Sequence, residues 1–277
     1  MLDMSMTRLH EVTVVLYALS VLLYFIDFLH NNQKAKRIAF WLLTIVWLLQ
    51  TIFLCLYMLN TGRFPVLTIF EGLYFYVWVL ITFSLCINKL LETDFIVFFT
   101  NVLGFIVMAI NTFAPIQVES QVLAQQLVSE LLFIHITMAF LAYGAFTFSF
   151  VLSLLYLIQY DLLKRKKWGK RLMRLGDLSQ LERWSYLLNV IGLPILFFSL
   201  VLGIQWANIK LPGLSWIDTK VLGSIFMLLC YSVFIYVKLR RQIYGKKLAY
   251  WNITSFFIVL INFFLFSSLS GFHYWNM

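Results

Sequence analysis

The stretch "LLFIHITMAFLAYGAFTFSFVLSLLYLIQ", residues 131–159, decides the fold class of this chain. It contains no Lys, Arg, Asp or Glu, and it is longer than the roughly 20 apolar residues with which an α-helix crosses a bilayer. It lacks the alternation of apolar and polar residues that is typical of a membrane β-strand. The stretch therefore predicts a transmembrane helix, and the rest of the chain follows the same pattern.

The composition extends this prediction to the whole chain. Hydrophobic residues make up 62% and charged residues 12% of the sequence, whereas a soluble domain carries roughly a quarter charged residues. We predict one integral membrane domain, residues 1–277, with an all-α fold: a polytopic bundle of eight transmembrane helices. The predicted spans are about 10–29, 38–59, 67–88, 95–113, 131–159, 184–205, 219–239 and 249–272.

The basic residues predict the orientation of the bundle in a cell membrane. Of the 21 Lys and Arg residues, 17 lie in alternate loops, and such loops stay in the cytoplasm. Both termini are then extracytoplasmic. The net charge of +9 indicates no nucleic-acid partner, because the basic residues lie between apolar segments. The loops that carry them are His30–Arg37, the turn at Lys89, Tyr160–Arg183 and Lys238–Lys247.

Two loops carry further signals. The basic loop 160–183 is predicted either to lie against anionic lipid or to bind a cytosolic partner. The outer loop 206–219 carries Trp206, Trp216 and Asp218 in the stretch "GIQWANIKLPGLSWIDTK". Its tryptophans fit either an interfacial aromatic belt or an apolar shelf for a flat ligand such as a porphyrin, which also needs cations for its propionates.

Three of the four histidines fall near the predicted outer surface, on three different helices: His10, His135 and His273. On the helix of His135, Ala139 and Ala142 follow at i+4 and i+7, which puts them on the same face. Small side chains there permit close approach of a second helix or of a flat ligand. Both interpretations stay open at this point.

Glu71 is an acidic residue about one turn inside the third predicted helix. An ionisable group in a membrane is a functional candidate, although Glu71 is also placed to pair with Arg63 or Arg8. The sequence has no catalytic triad pattern, no phosphate-binding loop and no HExxH motif, so we predict no enzyme. Scarce intramembrane charges also argue against a cofactor-free transporter, the third function considered.

Four segments of the chain form an ordered set. They are "LTIFEGLYFYVW" with Glu71, "FIHITMAFLAYGAF" with His135 and Tyr143, "GIQWANIKLPGLSWIDTK" with Trp216, Asp218 and Lys220, and "SGFHYW" with His273. In sequence and in order, these segments resemble the cytochrome c assembly protein family. The third segment departs from the tryptophan-rich loop of that family, because it has fewer tryptophans and the spacing of Trp206 is stretched.

Over its whole length the chain is most similar to the HemX branch of this family, eight-helix membrane proteins of Gram-positive bacteria. The resemblance implies binding of haem b, one or two, with His135 and His273 as axial ligands. His10 is the alternative ligand or a propionate contact. A ligating imidazole needs its other nitrogen hydrogen-bonded, and Tyr143, Tyr274, Glu71 or a backbone carbonyl could accept that bond.

The resemblance further implies an influence on the amount of glutamyl-tRNA reductase, transmitted to a cytosolic haem-biosynthesis partner through the loop 160–183. The alternative function is a cytochrome c assembly subunit, a haem lyase component that delivers haem to apocytochrome c. The sparse tryptophan loop argues against that alternative. Assembly as a homodimer is compatible with both functions.

Overall fold

The computed structural model describes residues 4–65, 68–90, 94–113, 129–166, 177–210 and 218–269. Within these ranges the regular structure is α-helical and no strand occurs. Eight helices are described, each long and apolar enough to cross a membrane, which confirms the predicted all-α polytopic bundle. They are α1 (Met4–His30), α2 (Gln33–Thr61), α3 (Ile69–Leu90), α4 (Asp94–Phe113), α5 (Glu130–Lys164), α6 (Leu178–Lys210), α7 (Thr219–Arg240) and α8 (Lys246–Leu269).

Helices α5 and α6 are longer than the spans predicted for them. α5 continues to Lys164, and α6 runs from Leu178 to Lys210, so both the basic loop and the tryptophan-containing loop are shorter than predicted. The prediction that Trp206 lies in the outer loop is wrong, since Trp206 is inside α6. Hydropathy detects the part of a helix that lies in the hydrocarbon layer, whereas backbone hydrogen bonding continues past it until the helix is terminated.

Helices α2, α5 and α7 each begin at a side chain that accepts hydrogen bonds from the first backbone amides. The Asn32 Oδ1 atom accepts from the Ala35 N–H at 3.2 Å, and the Ser129 Oγ atom accepts from the Leu132 N–H at 3.2 Å. Asp218 begins α7 in the same way. Such caps satisfy amides that have no partner within the helix, so the sequence itself sets these helix starts.

The chain divides into two compact units. The first, Met1–Gln117, contains α1–α4 and has polar bonds in its interior. The Tyr17 hydroxyl donates to Asn101 Oδ1 at 3.0 Å, and Asn101 Nδ2 donates to Ser84 Oγ at 3.0 Å. These bonds connect α1, α4 and α3. The prediction of one domain for the whole chain stays a prediction.

The second unit, Val118–Met277, contains α5–α8 packed in a ring. α5 and α7 each contact both α6 and α8. α5 is the most enclosed of the four spans, and its residues 142–153 are all buried. At Gly192 of α6, an added Cβ would lie 2.8 Å from the Phe146 ring of α5. The absence of a side chain there lets the two helices approach closely.

Candidate functional site

His135 lies in the second turn of α5, and its ring is partly exposed. The Nδ1 atom is 2.6 Å from the backbone carbonyl oxygen of Ser199 on α6. A carbonyl can only accept, so Nδ1 carries the proton and Nε2 carries the lone pair. The Ser199 hydroxyl in turn donates to the backbone carbonyl of His135 at 2.8 Å. These two bonds fix the tautomer and the orientation of the imidazole.

Gly203, one turn beyond Ser199 on α6, is the surface against which the His135 ring lies. A Cβ at this position would meet the ring atoms Cε1 at 2.6 Å, Nδ1 at 2.8 Å and Nε2 at 3.0 Å. No side chain other than hydrogen fits at those distances. The ring is therefore held between its own helix and the backbone of α6.

An aromatic group follows His135 on the inner side of the same unit. Phe140 and Tyr143 of α5 contact Phe263 of α8 edge to face, with ring centroids 6.2 Å and 6.0 Å apart. All three side chains are buried. Together we call Phe140, Tyr143 and Phe263 the aromatic shelf. It forms a buried apolar surface between α5 and α8.

A buried cation lies beside the aromatic shelf. Lys220, in the first turn of α7, has 8% of its surface exposed, and its Nζ atom lies 5.7 Å from the centroid of Phe263. Nζ donates to the backbone carbonyl of Asn262 at 2.9 Å. The ammonium group and the aromatic shelf thus meet at Phe263.

Farther along α5, a polar network lies at the other end of the unit. Asn252 Nδ2 of α8 lies 2.8 Å from the hydroxyl oxygens of Ser149 and Ser153 and 3.1 Å from that of Ser185, and its two N–H groups are shared among these acceptors. Asn189 Nδ2 donates to Asn252 Oδ1 at 2.8 Å. All five side chains are buried, and we refer to them as the Ser/Asn network.

Phe146 lies between His135 and the Ser/Asn network along α5. Its ring stacks on that of Tyr231 with centroids 4.0 Å apart and an interplanar angle of 11°, and both rings are fully buried. The stacked pair fills the centre of the unit. The chemistry of the His135 region is therefore separated from the Ser/Asn network by an apolar layer.

The structure places two of the predicted ligand-binding residues at or within helices. The carboxylate of Asp218 accepts from the Lys220 N–H at 2.8 Å as the cap of α7. Trp206 is buried on α6, one turn beyond Gly203. Trp216 and His273 lie outside the described residues, so their predicted roles, like the axial pairing of His135 with His273, stay predictions.

Glu71 is enclosed at the start of α3 in the first unit. Its two carboxylate oxygens accept from the Arg63 guanidinium at 2.9 Å and 3.0 Å, and the Tyr57 hydroxyl also donates to it. Thr68 Oγ1 accepts from the Glu71 N–H at 3.1 Å, while the carboxylate accepts from the Thr68 N–H at 3.3 Å. This is a capping box joined to a bidentate ion pair. Of the two interpretations of Glu71, the structure supports the ion pair with Arg63.

His10 also belongs to the first unit. Its Nε2 atom lies 3.3 Å from the Thr112 hydroxyl of α4. The rings of Phe53 and Tyr74 are 6.1 Å and 5.7 Å from its own, centroid to centroid. His10 therefore packs against residues of α2, α3 and α4 within the first unit.

The sequence prediction missed Ser199 and Gly203, which hold the His135 ring, and it also missed the burial of Lys220. A signal for the first two exists in α6, where small or polar residues recur at helical spacing. Such a repeat predicts a close-packed helix face, although not which helix covers it. The recurring positions are Ser185, Asn189, Gly192, Ser199 and Gly203.

Comparisons with known proteins agree with this architecture. A family model described as cytochrome C assembly protein matches residues 66–273. Protein HemX of Bacillus subtilis (strain 168) is 57% identical over all of both chains. Protein HemX of Brevibacillus brevis is 42% identical, covering 96% of this chain and 97% of its own. The cytochrome c biogenesis protein CcsA of Cyanophora paradoxa is 24% identical over 89% of each chain.

Eight apolar helices and these bacterial relatives identify a multi-pass membrane protein of a Gram-positive bacterium. The family match covers most of the chain and includes His135, Glu71, Trp216, Asp218 and His273. The protein is therefore a haem-related membrane protein by its relatives. It belongs to the cytochrome c assembly protein family and, within that family, to the HemX proteins.

Proposed function

We propose that this protein binds haem b in its second unit, with His135 and His273 as the axial ligands, and uses it to sense or handle haem at the outer side of the membrane. The observation that supports this most directly is the hydrogen bond from His135 Nδ1 to the Ser199 carbonyl. Histidines that ligate metals are characteristically held in this way, with one nitrogen bonded to a carbonyl and the other directed at the metal.

The residues around His135 suit a porphyrin in two further respects. The aromatic shelf offers a buried apolar surface in the same unit, and Gly203 places no side chain of its own against the imidazole ring. Haem iron with two histidine ligands is six-coordinate, which suits storage, sensing or electron transfer better than oxygen activation. In this proposal Ser199 orients the ligand and the aromatic shelf excludes water.

The test is the absorption spectrum of the purified protein with added haemin. We expect a Soret band and the sharp visible bands of low-spin haem in the wild type. His135→Ala and His273→Ala are each expected to abolish these bands, because each removes one axial ligand. A wild-type protein that takes up no haemin would refute the proposal.

Two matched variants control for the ligand assignment. His30→Ala removes an exposed histidine at the end of α1 and is expected to leave the spectrum unchanged. His10→Ala is also expected to leave it unchanged, because His10 is in contact with Thr112 and aromatic rings of the first unit. Loss of the low-spin bands in His10→Ala but not in His135→Ala would assign the axial role to His10.

The regulatory part of the proposal concerns the cytosolic side. We propose that the haem state of the protein modulates the amount of glutamyl-tRNA reductase, through contact of a cytosolic partner with the basic segment 160–183. The support is the membership in the HemX proteins. We expect a changed amount of the reductase in cells lacking the protein, measured by immunoblot, and restoration by the wild type but not by His135→Ala.

Delivery of haem to apocytochrome c is the second candidate function. It is favoured by the family model and by the relatives named cytochrome c biogenesis protein. If delivery is the function, cells lacking the protein lose covalently bound haem from their c-type cytochromes in haem-stained gels. Normal staining together with an altered amount of the reductase favours the sensing function.

A further inference from the structure

The turn between α7 and α8 carries a dense positive charge. Five of the ten residues from Lys238 to Lys247 are basic, and the sequence contains no Asp or Glu after Asp218. The connection is short, since the residues 241–245 alone separate the two helices. We call residues 240–247 the basic turn. Its charge is balanced either by a group from elsewhere in the chain or by a group outside the chain.

Glu182 of α6 brings a carboxylate to this region, and Lys238 neutralises it. The two side chains form an ion pair in which both are largely enclosed, with 14% of Lys238 and 16% of Glu182 exposed. The second carboxylate oxygen accepts from the Gly245 N–H at 2.8 Å. The ammonium group of Lys238 also lies over the ring of Tyr244, 3.8 Å from its centroid. These contacts hold the end of α7 to the turn and use the charge of Glu182, so the remaining cations stay unbalanced.

Those remaining cations face outward. Arg240, Arg241 and Lys247 are exposed, and within the described residues none of their side chains forms an ion pair or a hydrogen bond. Lys246 is exposed as well, and its Nζ atom lies 5.4 Å from the centroid of the Tyr250 ring. A cation above an aromatic face keeps its charge. The basic turn thus offers guanidinium and ammonium donors to a partner outside the chain.

The side chains next to the basic turn place it at the membrane surface. Tyr and Trp are enriched at the level of the lipid headgroups, and an exposed apolar residue on a spanning helix faces lipid. Because the cations follow such residues within about one helical turn, they lie at the depth of the lipid phosphates and not in a loop that extends into solution. The exposed neighbours are Tyr236 (57%), Leu239 (64%), Tyr250 (51%) and Trp251 (40%).

We propose that the basic turn binds the headgroup of an anionic phospholipid, through Arg240 and Arg241, with Lys247 adding to the positive potential. The oxygens of a phosphate match the paired donors of a guanidinium, and a basic segment beside a spanning helix attracts anionic lipid. Leu239 and Trp251 would contact the acyl chains of the same lipid. An acidic segment of a soluble protein would meet the charge but would gain nothing from these two neighbours.

The test uses brominated lipids, which quench the fluorescence of nearby tryptophans. The full-length protein is reconstituted in phosphatidylcholine vesicles that contain brominated phosphatidylglycerol or brominated phosphatidylcholine. The signal of Trp251 is the difference between the wild type and Trp251→Phe. We expect half-maximal quenching of this signal at about a 5- to 30-fold lower fraction of phosphatidylglycerol than of phosphatidylcholine, the enrichment that one or two cations near a membrane surface produce.

Charge variants, each measured with and without Trp251, make the result specific. Arg240→Gln/Arg241→Gln should abolish the preference for phosphatidylglycerol, whereas Arg240→Lys/Arg241→Lys should keep most of it. The matched control is Arg8→Gln/Lys210→Gln, which removes the same charge from exposed residues that are predicted to lie on the other side of the membrane. It should keep the preference. If the first variant does not fold, 1 M salt decides with the wild type, because a screening length of about 3 Å should remove the preference.

Three outcomes overturn the proposal. Equal quenching of Trp251 by the two lipids in the wild type would favour an acidic protein segment as the partner of the basic turn. A preference that persists in Arg240→Gln/Arg241→Gln would place the lipid elsewhere, and a preference that persists in 1 M salt would exclude binding by charge. None of these measurements involves haem, so their failure leaves the proposed function standing.

Discussion

Replacing Gly203 by alanine is expected to displace the His135 ring. The new Cβ would lie 2.6 Å from Cε1, and ordinary contact begins at 3.4 Å, so the ring or the helix must move by about 0.8 Å. A movement of that size directed away from α6 would lengthen the 2.6 Å distance from Nδ1 to the Ser199 carbonyl oxygen to about 3.4 Å, longer than the usual range of such a bond.

The expected change in stability is small, because two effects oppose each other. Overpacking costs about 1–3 kcal/mol, whereas alanine is favoured over glycine in a helix by about 1 kcal/mol. The net loss in the free energy of unfolding is about 0–2 kcal/mol. A loss of that size in a melting curve would not by itself show that the His135 ring has moved. The position of the His135 ring is the sensitive quantity.

The assay is the nitrogen NMR spectrum of protein labelled at its four histidines, with the His135 signals assigned by their loss in His135→Gln. In the wild type we expect Nδ1 protonated and hydrogen-bonded. In Gly203→Ala we expect that signal to shift or to give way to the other tautomer, and low-spin haem binding to weaken. Gly192→Ala is the matched control, because its Cβ meets the Phe146 ring at 2.8 Å on the same helix face.

Unchanged His135 signals in Gly203→Ala would refute the close approach of α5 and α6 at this point. Equal changes in both variants would show that any side chain on this face disturbs the whole unit. Only a change in the His135 signals that occurs in Gly203→Ala and not in Gly192→Ala agrees with this prediction.

Two further predictions concern the Ser/Asn network and the orientation. Asn252→Leu removes four side-chain partners and should lower the stability of the folded state by about 2 kcal/mol, at roughly 0.6 kcal/mol per hydrogen bond between membrane helices. Thr254→Leu, on the exposed face of α8, is its control in thermal unfolding, and an equal loss in both would contradict the network's role. With the native cysteines replaced by serine, Lys170→Cys should react with an impermeant thiol reagent only from the cytoplasmic side and Asn60→Cys only from outside. Labelling of Lys170→Cys in intact cells would show that the orientation is the opposite of the predicted one.

Hydropathy predicted the helices well because each apolar run carries its own signal. The segment 131–159 is long and free of Lys, Arg, Asp and Glu, so its crossing of the bilayer depends on no other part of the chain. The ends were harder to predict. Trp206 was assigned to a loop because apolar residues thin out after position 205, but the helix continues through it to Lys210.

The environment of His135 could be predicted only in part. The small residues of α5 predict a close approach of a helix or a flat ligand, which stays a prediction, and the partner of His135 depends on contacts between residues distant in the chain. His135 and Ser199 are 64 residues apart, and no local pattern pairs them. Among the groups considered as partners of the imidazole, the backbone carbonyl is the one that the structure shows.

The burial of Lys220 likewise depends on contacts with residues that are distant in the chain. By sequence it is a lysine at the start of a helix near the membrane surface, where such residues commonly reach water. Its enclosure depends on α8, which supplies Asn262 and Phe263. A pattern confined to one helix contains no information about that contact.

The Ser/Asn network also has a consequence for synthesis of the protein. Ser149 and Ser153 emerge from the ribosome first, Ser185 and Asn189 follow, and Asn252 arrives with the last helix. Until then the three hydroxyls and Asn189 lack the amide that joins them. The nascent second unit is thus an unfinished bundle until α8 is released, and a chain truncated before α8 should be a target for membrane quality-control proteases even though α1–α7 have already been inserted.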